Sequence, residues 1–473
     1  MKQKLVKFIR NNQLILLLVL IATVLRFMYL SPWLEDWDSV QLALGLHHYS
    51  IIDHQPHPPG YPLYILLGRL FYIFTQNDAY ALSSLSALLG SLSAIPLYLL
   101  AKKMFDKKTA LLSALIFIVT PVHWVFSERA FTDIPGLFFL LVFGYFIYSS
   151  KGNLKRLFLS SLFAGLVLGV RFNEIPVVLG LIILVAFIYG NIKFFLLSMS
   201  AFLIGVTIWL IPLVIITEPS KFIESFSSLA NYVVKHDVLL GESIPLTSLV
   251  KTKLEQLVYL FDLSYTKAFL ILSVFSIVWV ALKPKLHKEF KIWFLLIWTF
   301  SYGVILFIVY NLEIQRHLLP LLPPLAILTA FSLVQLIKNQ KVLVPVFLLF
   351  WASIFLQGLN QVIHLNTEIP PTIQPVNYVK QNFDPQNTII IASYIYRQFQ
   401  YYAPEFNSYY SDKVDHMEIK PNQKVIIDYQ GLKDKIINSD NLKITEIKEF
   451  NGDKELFPKI SQVTLYILLY ENK

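Results

Sequence analysis

Residues 35–62 read EDWDSVQLALGLHHYSIIDHQPHPPGYP, and this stretch brings acids, imidazoles and a rigid turn between two hydrophobic segments. Glu35, Asp36 and Asp38 stand at the mouth of the first apolar stretch. A positioned carboxylate is the usual means of deprotonating a poor hydroxyl nucleophile at neutral pH. About twenty residues on, His54, His57 and Tyr61 flank a Pro58-Pro59-Gly60 turn whose prolines restrict the backbone and whose glycine frees it. Charged and ionisable groups at a membrane boundary are costly unless they are used, so the segment reads as a catalytic loop acting on a lipid-held substrate.

Asp36 and Asp38, two residues apart, point the same way only in an extended segment; on a helix they diverge. One of them is expected to cap a helix beginning near Ser39, leaving the other for chemistry. His54 and His57, with either Asp, also form a donor set suited to zinc or manganese, so a divalent metal stays an open alternative to phosphate contact. Further along, Glu128, Arg129, Arg171 and Arg316 fall in outward loops. A guanidinium suits bidentate phosphate capture, the alternative being loop-pinning ion pairs, Glu128 with Arg129 and Glu313 with Arg316. Arg26, inside the first apolar stretch, is expected to snorkel outward.

These residues need elements to position them, and composition says which kind. Of 473 residues 55% are hydrophobic, and apolar runs of spanning length recur up to about residue 359, which makes this a polytopic α-helical membrane protein. The first run lacks a small-residue cleavage site and reads as an anchor, not a cleaved signal. The chain has no cysteine, which excludes disulfides and thiolate metal sites. Its net charge of +9 is topogenic, with no nucleic-acid footprint: residues 1–365 carry 28 Lys and Arg, while the rest carries 12 against 14 acids.

Placing the basic clusters in the cytoplasm gives eleven spans, at 13–31, 79–101, 109–126, 134–150, 157–172, 175–190, 194–217, 265–282, 292–310, 317–337 and 342–359. The clusters are Lys2, Lys4, Lys7 and Arg10; Lys102, Lys103, Lys107 and Lys108; Lys151, Lys155 and Arg156; Lys193; Lys283, Lys285, Lys288 and Lys291; Lys338 and Lys341. Residues 61–74, with Arg69 in the middle, then form a helix along the outer surface, the N-terminus lies inside and the tail outside. Every polar motif falls on the outer face, as a site built from several loops requires. A longer outer loop, 218–264, holds two amphipathic stretches that read as an interfacial cap or a gate. Residues 1–365 make the membrane domain, and 366–473 a small α/β domain with strands at 387–393, 424–429 and two later stretches. That tail shows no glycine loop, metal cluster or nucleophile, so packing or acceptor docking is its expected role.

Asp38-Ser39 followed by HPPGYPLY at 57–64, with SERAFTD at 127–133 and RHLLPLLPPLA at 316–326, resembles the GT-C superfamily of polyprenyl-phosphate-sugar-dependent glycosyltransferases. The nearest likeness is to the family 39 and protein O-mannosyltransferase group, including aminoarabinose-transferase-like members. The resemblance implies a GT-C fold of about eleven transmembrane helices with surface helices in the first outer loop. It implies inverting transfer of a sugar from a polyprenyl-phosphate donor to a hydroxyl acceptor of protein, lipid or glycan, at the outer face of the cytoplasmic membrane. The base it implies is Asp36 or Asp38; many members have Asp-Glu where this chain has Asp36-Trp37 and Asp38-Ser39, and the Asp-Ser match favours Asp38 as the base with Asp36 as its capping or metal-assisting partner. His54, His57, Tyr61, Glu128, Arg129, Arg171 and Arg316 then line the substrate. Rival readings are a membrane transporter, which places polar groups near the midplane of repeated helices, and a polysaccharide polymerase or ligase using lipid-linked sugars.

Overall fold

The computed structural model describes residues 12–236, 246–310, 312, 314–412, 419–436 and 441–470. All eleven expected spans are helical within that range, although two are broken. The second comprises Asp78–Leu92 and Ala94–Met104; the third comprises Lys107–Val119 and Pro121–Phe126, where Pro121 cannot continue the preceding ladder. Among the described residues, seven helices are long and apolar enough to cross a membrane alone, and an eighth counts if one bent pair is a single span. The others, such as Gln13–Met28, are shorter apolar helices packed into the same core. The N-terminal basic cluster lies outside the described residues.

The expected surface helix is Pro62–Thr75. Tyr64, Ile65 and Gly68 face inward, while Leu66, Leu70, Ile73 and Phe74 are exposed at helical spacing, which suits a helix lying on lipid. Arg69 is not a misplaced charge. Its guanidinium donates to Leu46 O (2.8 Å) and Gly45 O (3.2 Å), satisfying orphan carbonyls at the end of helix Trp37–His47, where the dipole favours a cation.

The 218–264 segment carries the helices Pro219–His236 and Leu246–Tyr265, both amphipathic in pattern. At Thr266, whose φ is 73°, the chain bends by 113° into Lys267–Ala281, so the second amphipathic helix runs across the direction of the span it leads to. The final membrane helix, Gln340–Thr367, has 28 residues and is about 42 Å long. That exceeds the hydrocarbon thickness of a bilayer.

Among the described residues the tail forms five strands where four were expected: β1 (Thr388–Ala392), β2 (Asn407–Tyr410), β3 (Lys424–Ile427), β4 (Leu442–Asn451) and β5 (Gln462–Tyr470). The order is β2-β1-β3-β5-β4, parallel over the first three and antiparallel over the last three. The additional strand is β2, four residues long and without an apolar alternation to announce it. Packing or acceptor docking is the expected role of the tail, and the tail packs against the first loop. Thr372 Oγ1 and Gln398 Nε2 donate to Glu35 O (2.8 and 3.0 Å), and Leu34 N–H donates to Tyr402 Oη (2.8 Å). Tyr401 Oη donates to Asp78 Oδ2 (2.7 Å), and Arg397 Nη2 to Asp53 O (2.9 Å).

Gly60 is required at the turn of the first loop. Its φ is +85°, and an added Cβ would lie 2.5 Å from Tyr49 Oη and 2.7 Å from Ile51 Cγ2. Gly60→Ala is expected to destabilise the protein by about 1–3 kcal/mol, read as a lower melting temperature in detergent; an unchanged value would show that the turn relaxes freely.

Candidate active site

Asp36 caps helix Trp37–His47: its Oδ1 accepts from Asp38 N–H (2.9 Å), and Ser39 Oγ in return accepts from Asp36 N–H (3.1 Å), a reciprocal capping box. The cap residue is extended while Asp38 stands in the first helical turn, and this junction aims both carboxylates at one point. That point is Arg316. Its Nη2 lies 2.5 Å from Asp38 Oδ2, its Nη1 3.6 Å from Asp36 Oδ2 and its Nε 3.7 Å from Asp133 Oδ2. The guanidinium sits over the Phe131 ring at 4.5 Å. Arg171 holds the far side of Asp133, with Nη2 2.7 Å from Oδ1, while its Nη1 donates to Thr132 Oγ1 (2.8 Å). The arginine stem needs Gly136, where a Cβ would stand 2.7 Å from Arg171 Cβ.

His57 joins the same cluster from the turn. Its backbone N–H and Nδ1 both reach Gln41 Oε1 (3.3 and 2.7 Å), so Nδ1 carries the proton and Nε2 accepts from Tyr61 Oη (2.9 Å). Asp38 Oδ1 lies 3.6 Å from Nδ1, outside hydrogen-bond range. Of the two first-loop aspartates, Asp38 is the open one: its side chain is 29% exposed against 10% for Asp36. Burial would push the Asp36 carboxyl up, but Lys459, Arg316 and the Asp38 N–H hold it below the usual carboxylate range. Lys459 comes from the tail, its Nζ 3.1 Å from Asp36 Oδ2.

The structure thus brings Asp36, Asp38, His57, Tyr61, Arg171 and Arg316 together and leaves three expected site residues apart from them. His54 is half-buried at the turn with φ 53°, its N–H donating to Ile51 O (3.4 Å). Arg129 pairs with Glu35 (2.9 Å), and Glu128 accepts from Trp124 Nε1 (2.8 Å), so the expected Glu128–Arg129 pair does not form. Adjacent residues on this short turn point apart, and each finds a partner elsewhere. Burial pushes the Glu35 carboxyl up, with Arg129 opposing. Glu313 lies outside the described residues. Arg26 does not snorkel: it is 2% exposed, and its Nη2 reaches Ile118 O (2.9 Å) and His123 Nδ1 (3.0 Å), polar partners inside the bundle that make the outward route unnecessary. Asp133, Gln41 and Lys459 were missed as site residues. Asp133 carried a signal, an acid opening a span with Pro135 two residues on; Gln41 and Lys459 carried none.

For a metal the fit is poor. Among the described residues no group of three or more His, Asp or Glu is disposed to hold one. The three aspartates converge on a guanidinium, and the His57 nitrogens face Gln41 and Tyr61.

The model for the family "Dolichyl-phosphate-mannose-protein mannosyltransferase" matches residues 56–216, which include the turn, Arg129, Asp133 and Arg171. In three dimensions the chain is similar to ArnT from Cupriavidus metallidurans bound to undecaprenyl phosphate, with a TM-score of 0.62 at 11% identity, covering 96% of this chain and 98% of that one. The chain has the GT-C fold. It is similar also to the apo oligosaccharyltransferase of Archaeoglobus fulgidus (TM-score 0.52, 12% identity, 84% of this chain and 64% of that one). The archaeal oligosaccharyltransferase AglB from Archaeoglobus fulgidus, in complex with an inhibitory peptide and a dolichol-phosphate, gives a TM-score of 0.52 at 12% identity over 89% of this chain and 70% of that one. In sequence the chain is 30% identical over 118 residues to the protein O-mannosyl-transferase tmem260 of Dictyostelium discoideum, and the match spans 24% of this chain and 14% of that relative.

His57 gives a pH test. Burial, first, and Arg316 hold the imidazole below its ordinary value of 6.5 against the pull of Asp38. On acidification the unfolded chain therefore takes up this proton first, so the contribution is complete above about pH 6.5 and is lost as pH falls. Melting temperature in detergent should decline below that pH, and less steeply in His57→Gln; identical slopes would remove His57 from the account.

Proposed function

We propose that the chain transfers a sugar from a polyprenyl-phosphate donor to a hydroxyl acceptor at the outer face of the cytoplasmic membrane, with inversion at the anomeric carbon. The observation that carries this reading is the state of Asp38. One oxygen is clamped by Arg316, the other has no partner within hydrogen-bond range among the described residues, and the side chain is open to solvent. A base needs this arrangement: fixed in direction by one oxygen and free to take a proton on the other.

In the reaction, Asp38 Oδ1 takes the proton from the acceptor hydroxyl as its oxygen attacks the anomeric carbon. The bond from that carbon to the phosphate oxygen breaks, and the polyprenyl phosphate leaves with the electron pair. Arg316 orients the base and, with Arg171, keeps Asp133 from repelling it. His57 and Tyr61, which stand beside it, are assigned to substrate contact. The lipid-facing surface of Pro62–Thr75 and the two amphipathic helices of the outer loop suit a donor whose tail stays in the bilayer. Similar folds that bind undecaprenyl phosphate and dolichol-phosphate support the donor class.

Asp38→Asn keeps size and hydrogen bonding while removing basicity. It should lower turnover by about 10²-fold or more, measured as restoration of the glycan that mass spectrometry finds missing from cells lacking the protein. Normal restoration by a folded Asp38→Asn protein would overturn the assignment.

Sidedness is tested separately, since cysteines can be placed singly in a chain that has none. Cysteine at Ser50 or Ser408 should react with an impermeant thiol reagent added to intact cells, and cysteine at Asp106 should not. Labelling at 106 would reverse the topology and remove the site from the outer face.

A further inference from the structure

A departing phosphate needs cationic partners, and the arginines around Asp38 are already engaged. Arg316 faces three carboxylates and Arg171 faces Asp133 and Thr132; both side chains are below 10% exposed. Lys459, the third cation of the cluster, differs. It lies between β4 and β5 of the tail, its side chain is 44% exposed, and Asp36 Oδ2 takes one of its three N–H donors at 3.1 Å. A flexible four-carbon stem lets an ammonium move between neighbouring anions without the fork geometry an arginine must keep. The Asp36 carboxylate, for its part, keeps Arg316 and its cap to Asp38 N–H if the lysine leaves.

We infer that Lys459 is a phosphate ligand of the lipid carrier, supplied by the tail domain and parked on Asp36 while the site is empty. This rests on the lipid-phosphate reading of the site. The tail then does more than cover the first loop: it contributes the positive charge that receives the leaving phosphate.

The test uses the full-length protein in detergent, titrated with undecaprenyl phosphate, with undecaprenol and inorganic phosphate as separate probes. Lys459→Met should weaken undecaprenyl phosphate binding by about 10- to 100-fold and leave undecaprenol binding as in the wild type, while Lys459→Arg keeps most of the affinity. Asp36→Asn, which still caps the helix, should tighten binding by freeing the ammonium, and this gain should vanish in the double variant with Lys459→Met. A Lys459 that is only a latch between the tail and the loop predicts the opposite sign, with Asp36→Asn weakening binding as Lys459→Met does; that result overturns the inference. Equal binding of undecaprenyl phosphate by Lys459→Met and wild type also overturns it and leaves the proposed function standing. Inorganic phosphate responding to Lys459→Met as strongly as the lipid would show a general anion site and overturn the carrier assignment. A wild-type protein that binds neither the lipid phosphate nor undecaprenol overturns the proposed function and this inference together.

Discussion

One guanidinium holds this site together. The three nitrogens of Arg316 each address a different carboxylate: Nη1 faces Asp36, Nη2 faces Asp38 and Nε faces Asp133. The carboxylates come from two distant segments, and without the cation between them they would repel across a partly dry space where Coulomb forces are little screened. Breaking a buried pair by removing one partner typically costs about 3–5 kcal/mol, and here one removal would take a cation from three acids at once, leaving Asp133 to Arg171 and Asp36 to Lys459. Only a planar fork meets three partners in different directions at once, so a lysine in that position would leave at least one carboxylate unmet.

The tail has a constraint of its own. After β1 the backbone N–H groups of Ser393, Tyr394 and Ile395 converge, an arrangement that in other sheets cradles a phosphate. Here the Asp428 carboxylate fills it, accepting from all three at 2.6–3.2 Å. The anion position of the sheet is thus occupied from within the chain. What the tail offers the rest of the molecule comes from its edges and connections: Thr372, Arg397, Gln398, Tyr401, Tyr402 and Lys459.

Much of this was legible in the chain because it is local. Apolar runs become helices wherever lipid leaves the backbone no other partner, and all eleven expected spans are helical. The Asp36 cap was readable because capping needs only the next three residues. The HPPGYP turn was readable because proline and glycine act on their own backbone. Ion pairs were not. Glu128 and Arg129 are adjacent, yet each pairs elsewhere, and Arg129 meets Glu35 from the first loop. Arg26 looked like a charge that must escape to water, because His123 and the Ile118 carbonyl lie more than ninety residues away. Lys459 sits in an irregular stretch with no periodicity, and nothing near it in sequence points to Asp36.

The contact between Lys459 and Asp36 spans 423 residues of chain. During synthesis the first loop is made and its helix capped long before the tail exists, so a partly made molecule holds an uncapped pocket of aspartates and no ammonium to balance them. The two partners are therefore made far apart in time, and the charge at Asp36 is balanced by an ammonium only once the segment between β4 and β5 has been added to the chain.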